Sequence, residues 1–322
     1  MSKVLQISTC ALPPYLASWR SLVSRSIAAW EEMHPEDHVH KRFGKELLES
    51  SHTLHDFLSP TACPGPMFWF FQTRSAFLSQ DRLAKWSNSD LDEYILLAPS
   101  MLRREDCYFM SHFWRTPEHP DPDGEYLRLS QAVLEKQDWK YIWVDWTCAP
   151  QSPRAPAEQI YFHRCLWTMS AIIRNCTFMW YYPPFEARLW ILYEVAEYDL
   201  TSSGSKYWTE DVVTYIKHVD EMVQFGVRRT LHKYGYRCSN EYDLQLLTSW
   251  LQVLAILRRT GLNIICVRRL LDSLTWFNTA KRANIEGVVL DKEEGTLRLG
   301  GKVYTFKPFP RESFAYEVEH VT

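Results

Sequence analysis

Three short blocks hold the residues that could do chemistry: 107–114 (CYFMSHFW), 141–151 (YIWVDWTCAPQ) and 187–198 (ARLWILYEVAEY). In the first, Tyr108, Phe109 and Met110 give way to Ser111 and His112; in the second, Tyr141 to Val144 give way to Asp145. The third carries a carboxylate, Glu194, on a mostly apolar body. A carboxylate held close to a reacting centre can stabilise a developing cation or capture it. His112 and Cys148 offer a different chemistry, because imidazole activates a thiol as a nucleophile.

The elements that must position these residues are written in the apolar spacing. The first two blocks read as buried strands ending in polar residues, and in an open α/β sheet such residues line the ligand crevice. Residues 176–182 read as a third strand, stopped by Pro183 and Pro184. Helical patterns over 125–139 and 157–175 connect them, and strands alternating with helices of this length predict a parallel sheet. Asp145 also has a structural reading, as a helix N-cap or a buried structural carboxylate.

The flanks read differently. Leu16, Trp19, Val23, Ile27 and Trp30 repeat at helical spacing, and Met67 to Phe71 form an apolar packing cluster after turn punctuation over 60–66. Past Tyr198 a linker-like stretch, 200–208, leads to helices over 209–230 and 240–260, the second closed by Gly261. A helical stretch over 263–282 follows, and 287–309 reads as short antiparallel strands with turns at Glu294–Gly295 and Gly300–Gly301. The expected organisation is a helical extension (1–100), an α/β core (101–200) and a helical region ending in a β meander (201–322).

Composition bounds the function. With 322 residues, 46% of them apolar, the chain has ample material for a buried core. A net charge of −3 gives no broad attraction to phosphate backbones, so nucleic acid is not the default partner. No apolar run approaches the roughly 18 residues that span a bilayer. The first 19 residues, broken by Gln6, Ser8, Thr9 and a Pro pair, make a poor signal peptide, so no membrane partner and a cytoplasmic location are expected. Eight scattered cysteines without a Cys-x-x-Cys pair predict reduced core thiols. The histidines at 34, 38, 40, 52 and 55 have no carboxylate or cysteine spaced to complete a shell, so no metal is expected.

In order and wording the three blocks resemble the fungal heterokaryon-incompatibility (HET) domain and, more distantly, the Toll/interleukin-1 receptor (TIR) domain. Residues 111–114 look like that family's opening strand and its polar-aromatic exit. Asp145, Cys148 and Gln151 match its most recognisable block, and Arg188, Trp190 and Glu194 its Arg/Trp…Glu helix. The resemblance spans 107–198. It implies a mainly parallel sheet of flavodoxin-like order and cleavage of the nicotinamide–ribose bond of NAD, or ribosyl transfer from it.

Under that resemblance Glu194 is the catalytic carboxylate and Asp145 accepts from a ribose hydroxyl. Ser111, His112 and Arg188 hold hydroxyls or phosphate, and Trp114, Trp146 and Trp190 stack on a ring. NAD is then a substrate, with no cofactor required. A second likeness points elsewhere: Ser111 with Tyr193 and Glu197, four apart on one helical face, is similar to the serine and Tyr-x-x-x-Glu of tRNA-dependent cyclodipeptide synthases. It implies an acyl transferase of fungal specialised metabolism with tRNA as partner. A third reading is a non-enzymatic signalling module of fungal non-self recognition that works by assembling copies of itself; no nucleotide-binding P-loop occurs in the sequence.

Overall fold

The computed structural model describes residues 14–33, 38–59, 67–182, 185–203, 208–277 and 279–311. A five-stranded sheet is built from β1 (Trp69–Thr73), β2 (Tyr94–Leu97), β3 (Cys107–His112), β4 (Tyr141–Val144) and β5 (Thr177–Tyr181), in the spatial order β2-β1-β4-β3-β5. Helices α1 (Pro14–Met33), α2 (His38–Ser50) and α3 (Leu54–Leu58) precede it, and α4 (Arg74–Ser79) follows β1. α5 (Glu125–Leu134) joins β3 to β4, while α6 (Asp145–Cys148) and α7 (Pro156–Asn175) join β4 to β5. Then come α8 (Leu189–Thr201), α9 (Glu210–Phe225), α10 (Val227–Tyr234), α11 (Glu241–Thr260) and α12 (Ile264–Ser273). An antiparallel meander of β6 (Arg282–Ile285), β7 (Val288–Asp291), β8 (Thr296–Leu299) and β9 (Lys302–Thr305) closes the described chain.

The fold is α/β, but the sheet is mixed. β3 pairs in parallel with both β4 and β5, whereas β1 runs antiparallel to β2 and to β4. The parallel part, β4-β3-β5, keeps the two-one-three order that opens a flavodoxin-like sheet. Met67 to Phe71 pack in the core as expected, and Trp69 to Phe71 also form most of β1, which the sequence did not mark as a strand. Trp69, Phe70, Phe71 and Gln72 are fully buried, so the strand lacks the in-out alternation that marks a half-exposed one.

An aromatic ladder holds the parallel strands. Phe109 stands opposite Trp143 and Phe178 in register, and its ring stacks on both, with centroids 5.3 and 5.6 Å away. Such pairs contribute on the order of 1 kcal/mol each beyond the area they bury. On this face lie α7 and α8; on the other, Leu127 and Leu134 of α5 pack on Tyr108, Met110, Ile142 and Val144. The chain therefore leaves β3 toward one face and β4 and β5 toward the other, which opens a crevice over the carboxyl ends of the strands.

Helix ends follow local chemistry. The pattern over 209–230 is broken at Gly226, whose φ of 99° suits glycine and separates α9 from α10. The pattern over 125–139 stops at Leu134, and Trp139 fits its spacing only because the chain turns back: its indole N–H donates to the Leu134 carbonyl at 2.8 Å. The meander is tied to the helices through Lys292, 2% exposed, which donates to the Leu274 carbonyl at 2.9 Å and lies over Trp167, Trp250 and Phe309. No helix among the described residues is long and apolar enough to cross a membrane.

Candidate functional site

Strand β3 ends in two residues that the pleat sends to opposite faces. Ser111 turns toward the α8 face, where its hydroxyl donates to Glu194 Oε2 and lies 2.7 Å from the Tyr182 hydroxyl. His112 faces the other way, and its Nε2 is 2.9 Å from Asp145 Oδ1. The second oxygen of Asp145 accepts from the Trp114 indole at 2.8 Å. Two carboxylates, one from α6 and one from α8, are thereby brought to the mouth of one crevice.

That crevice is a cleft of about 1160 Å³ lined by His112, Trp114, Trp143, Asp145, Trp190 and Glu194, with residues of α7, α10 and α11 beyond them. Phe162, Cys165, Leu166 and Met169 form one apolar stripe of α7 along it, spaced as a helix face requires. Arg188 occupies the N-cap of α8, its guanidinium 4.7 Å over the Phe113 ring. A short backbone pairing sets Arg188 beside Arg237, with the Leu189 N–H donating to the Arg237 carbonyl at 2.9 Å. Both arginines are exposed, and their charges add to the positive end of the α8 dipole.

Glu194 has the most perturbed carboxyl of the cleft. Burial pushes its pKa from the usual 4.5 up to about 8; the Ser111 hydroxyl opposes the shift and the nearby Asp145 charge adds to it. Its described hydrogen-bond partner is the Ser111 hydroxyl, while the Arg188 guanidinium pairs with Glu186 at 3.5 Å.

Seven of the residues singled out in the sequence line the cleft: His112, Trp114, Asp145, Gln151, Arg188, Trp190 and Glu194. Gln151 acts on the backbone, donating to the carbonyls of Asp145 at 2.7 Å and Ala149 at 2.9 Å, and so fixes the turn that presents Asp145. Ser111 stands behind Glu194 at 1% exposure, which corrects its role from holding a ligand to holding the carboxylate.

Other expectations are corrected by burial. Cys148 is fully buried with its thiol pushed up to about 11, and 3.6 Å separates its sulfur from the Ile142 carbonyl, so no thiolate faces His112. Trp146 donates to the Leu83 carbonyl at 3.2 Å and backs Trp114 edge-on from within the core. Tyr193 and Glu197 lie on the core side of α8, where Glu197 pairs with Arg174, and neither meets Ser111.

Sequence reading missed Tyr182, Trp143, Arg154, Arg237 and Asp243. Tyr182 directly precedes the Pro183–Pro184 strand stop, so the strand-end rule that found Ser111 and Asp145 also points to it. Arg237 and Asp243 come from the loop after α10 and the start of α11, and nothing local marks them. Among the described residues no group of His, Cys, Asp or Glu is arranged to hold a metal ion; His34 lies outside them, and His38 and His40 fall in α2. Compared with known proteins, the chain matches no family model, no curated protein and no solved structure.

Proposed function

We propose that the protein cleaves the N-glycosidic bond of a nicotinamide nucleotide, with NAD as the first substrate to test. The observation that carries this reading is Glu194, a carboxylate backed by the Ser111 hydroxyl and opening into a cleft with aromatic walls and arginines at its rim. In the reaction the C1′–N bond breaks and its electron pair leaves with the nicotinamide nitrogen. That ring is cationic in the substrate, so it departs neutral and needs no acid.

Positive charge develops on the ribose, and Glu194 faces it as the carboxylate of a glycosidase does. Water then adds to C1′, and its proton goes to a carboxylate of the site. Asp145, set by His112 and Trp114, is placed to accept a ribose hydroxyl or that proton. Arg188 and Arg237 supply a bidentate-capable pair for a pyrophosphate. The high pKa of Glu194 agrees with this chemistry, because a cationic substrate favours the ionised carboxylate and so displaces the proton.

The HET/TIR resemblance supports the same reading through Asp145, Arg188, Trp190 and Glu194. The acyl-transfer reading keeps Ser111 but needs Tyr193 and Glu197 beside it, and those two face the core. The test is nicotinamide release from NAD by wild type and by Glu194→Ala. The expected result is turnover by the wild type reduced at least about a hundredfold in the variant. No turnover by the wild type removes the proposal, and equal turnover removes Glu194 from it.

A further inference from the structure

The far wall of the cleft holds a carboxylate that the bond-breaking step does not use. Asp243, in the first turn of α11, is 9% exposed and lines the cleft. No lysine or arginine among the described residues pairs with it, and burial raises its pKa. Its Oδ2 accepts from Asn240 Nδ2 at 3.1 Å and from the Trp190 indole at 3.4 Å. Its Oδ1 takes no hydrogen bond from the described residues. That oxygen is left available to a ligand in the cleft that Asp243 lines.

The surroundings narrow what that ligand is. Trp190 flanks the carboxylate, and the apolar stripe of α7, Phe162, Leu166 and Met169, forms the neighbouring wall. A flat ring suits such walls. With Oδ2 already engaged, one acceptor remains. That matches a base presenting one exocyclic amino group, as adenine does, and not the paired donors of guanine, which need both oxygens.

We propose that this end of the cleft is an adenine subsite in which Asp243 Oδ1 accepts from the exocyclic amine. The inference rests on the nucleotide reading above, and it makes the substrate an adenine dinucleotide spanning the cleft from Asp243, past Arg188 and Arg237, to Glu194.

The experiment is calorimetric titration of the wild-type protein with AMP and with IMP, which replaces the exocyclic donor by an acceptor. AMP is expected to bind at least about tenfold tighter than IMP, and Asp243→Asn is expected to erase the difference. A second arm needs no variant: nicotinamide release from NAD and from nicotinamide hypoxanthine dinucleotide by the wild type, with KM higher for the hypoxanthine analogue and kcat little changed. Equal binding of AMP and IMP, or no binding of AMP at millimolar concentration, overturns the subsite. A discrimination that persists in a folded Asp243→Asn also overturns it. AMP-selective binding without NAD cleavage retains the subsite and removes the cleavage, whereas cleavage with no base preference does the reverse.

Discussion

At the scale of single residues, the proposed cleavage and the stability of the fold both turn on Glu194, and the two are expected to respond to pH in opposite senses. The proposed bond-breaking step requires the ionised carboxylate. In the free protein Glu194 titrates at about 8, so kcat/KM for NAD is expected to rise with pH and level off above that value. Ser111 donates to the charged form and thereby lowers the pKa. Ser111→Ala is expected to move the inflection to higher pH while the plateau is largely kept. A pH–rate profile flat between about pH 6 and about pH 9 would remove Glu194 from the reaction.

Stability runs the other way. The folded-state pKa of Glu194 lies above the unfolded one, so between roughly 4.5 and 8 the unfolded chain has released a proton that the folded chain still holds. Stability then falls as pH rises through that window, by at most ~1.4 kcal/mol per unit. Glu194→Gln removes the ionisable group, so it is expected to raise stability by ~2–4 kcal/mol near pH 9 and to be neutral near pH 4. Urea titrations of both proteins at the two pH values measure this. A gain that is larger at low pH would show that the carboxyl is not held neutral by burial.

At the scale of elements, α8 must be held firmly enough to keep Glu194 against β3. Arg174 of α7 does this from beneath. It is fully buried, and its guanidinium reaches Glu197 of α8 at 2.5 Å and Asp272 of α12 at 2.8 Å. Removing one partner of such a network leaves buried charge uncompensated, which costs ~3–5 kcal/mol. Arg174→Met is therefore expected to lower the melting temperature by roughly 10 °C, with Glu197→Gln in the same direction. A variant as stable as the wild type would mean that the ions are hydrated in solution. The sequence marked Glu197 as one of a pair with Tyr193 on a helical face, and that geometry is correct. Which side of α8 that face occupies was settled by the apolar surface of α7, α11 and α12, which draws Tyr193 inward and leaves Glu194 toward the cleft.

At the scale of the whole molecule, the meander is joined to the helical body through Lys292 and its three aromatic neighbours. Replacing it by alanine removes a buried ammonium hydrogen bond and the cation–π contacts, ~2 kcal/mol together. For Lys292→Ala, amide exchange in β6–β9 is expected to quicken roughly thirtyfold while β3–β5 exchange stays near the wild-type rate. Uniform acceleration across both sheets would show that the meander and body open as one unit.

By itself the sequence determined the local elements and the strand ends of the site. The period of apolar residues specified α1, α7 and α11, and abrupt polar exits from apolar runs placed Ser111, His112 and Asp145 at the carboxyl edge of β3 and β4. These signals are local, because helix and strand periods and strand-end polarity are written within a few turns of chain. The tertiary structure decided the rest. β1 and β2 carried no alternation because both faces of β1 are buried, so only pairing revealed the mixed sheet. Cys148, Trp146 and Glu197 had the right side chains, but packing turned them into the core. Asp243 and Arg237 joined the cleft from roughly 45 residues beyond Glu194 in the chain, through the docking of α10 and α11. Such a meeting depends on which surfaces bury each other, and no periodicity along the chain encodes it.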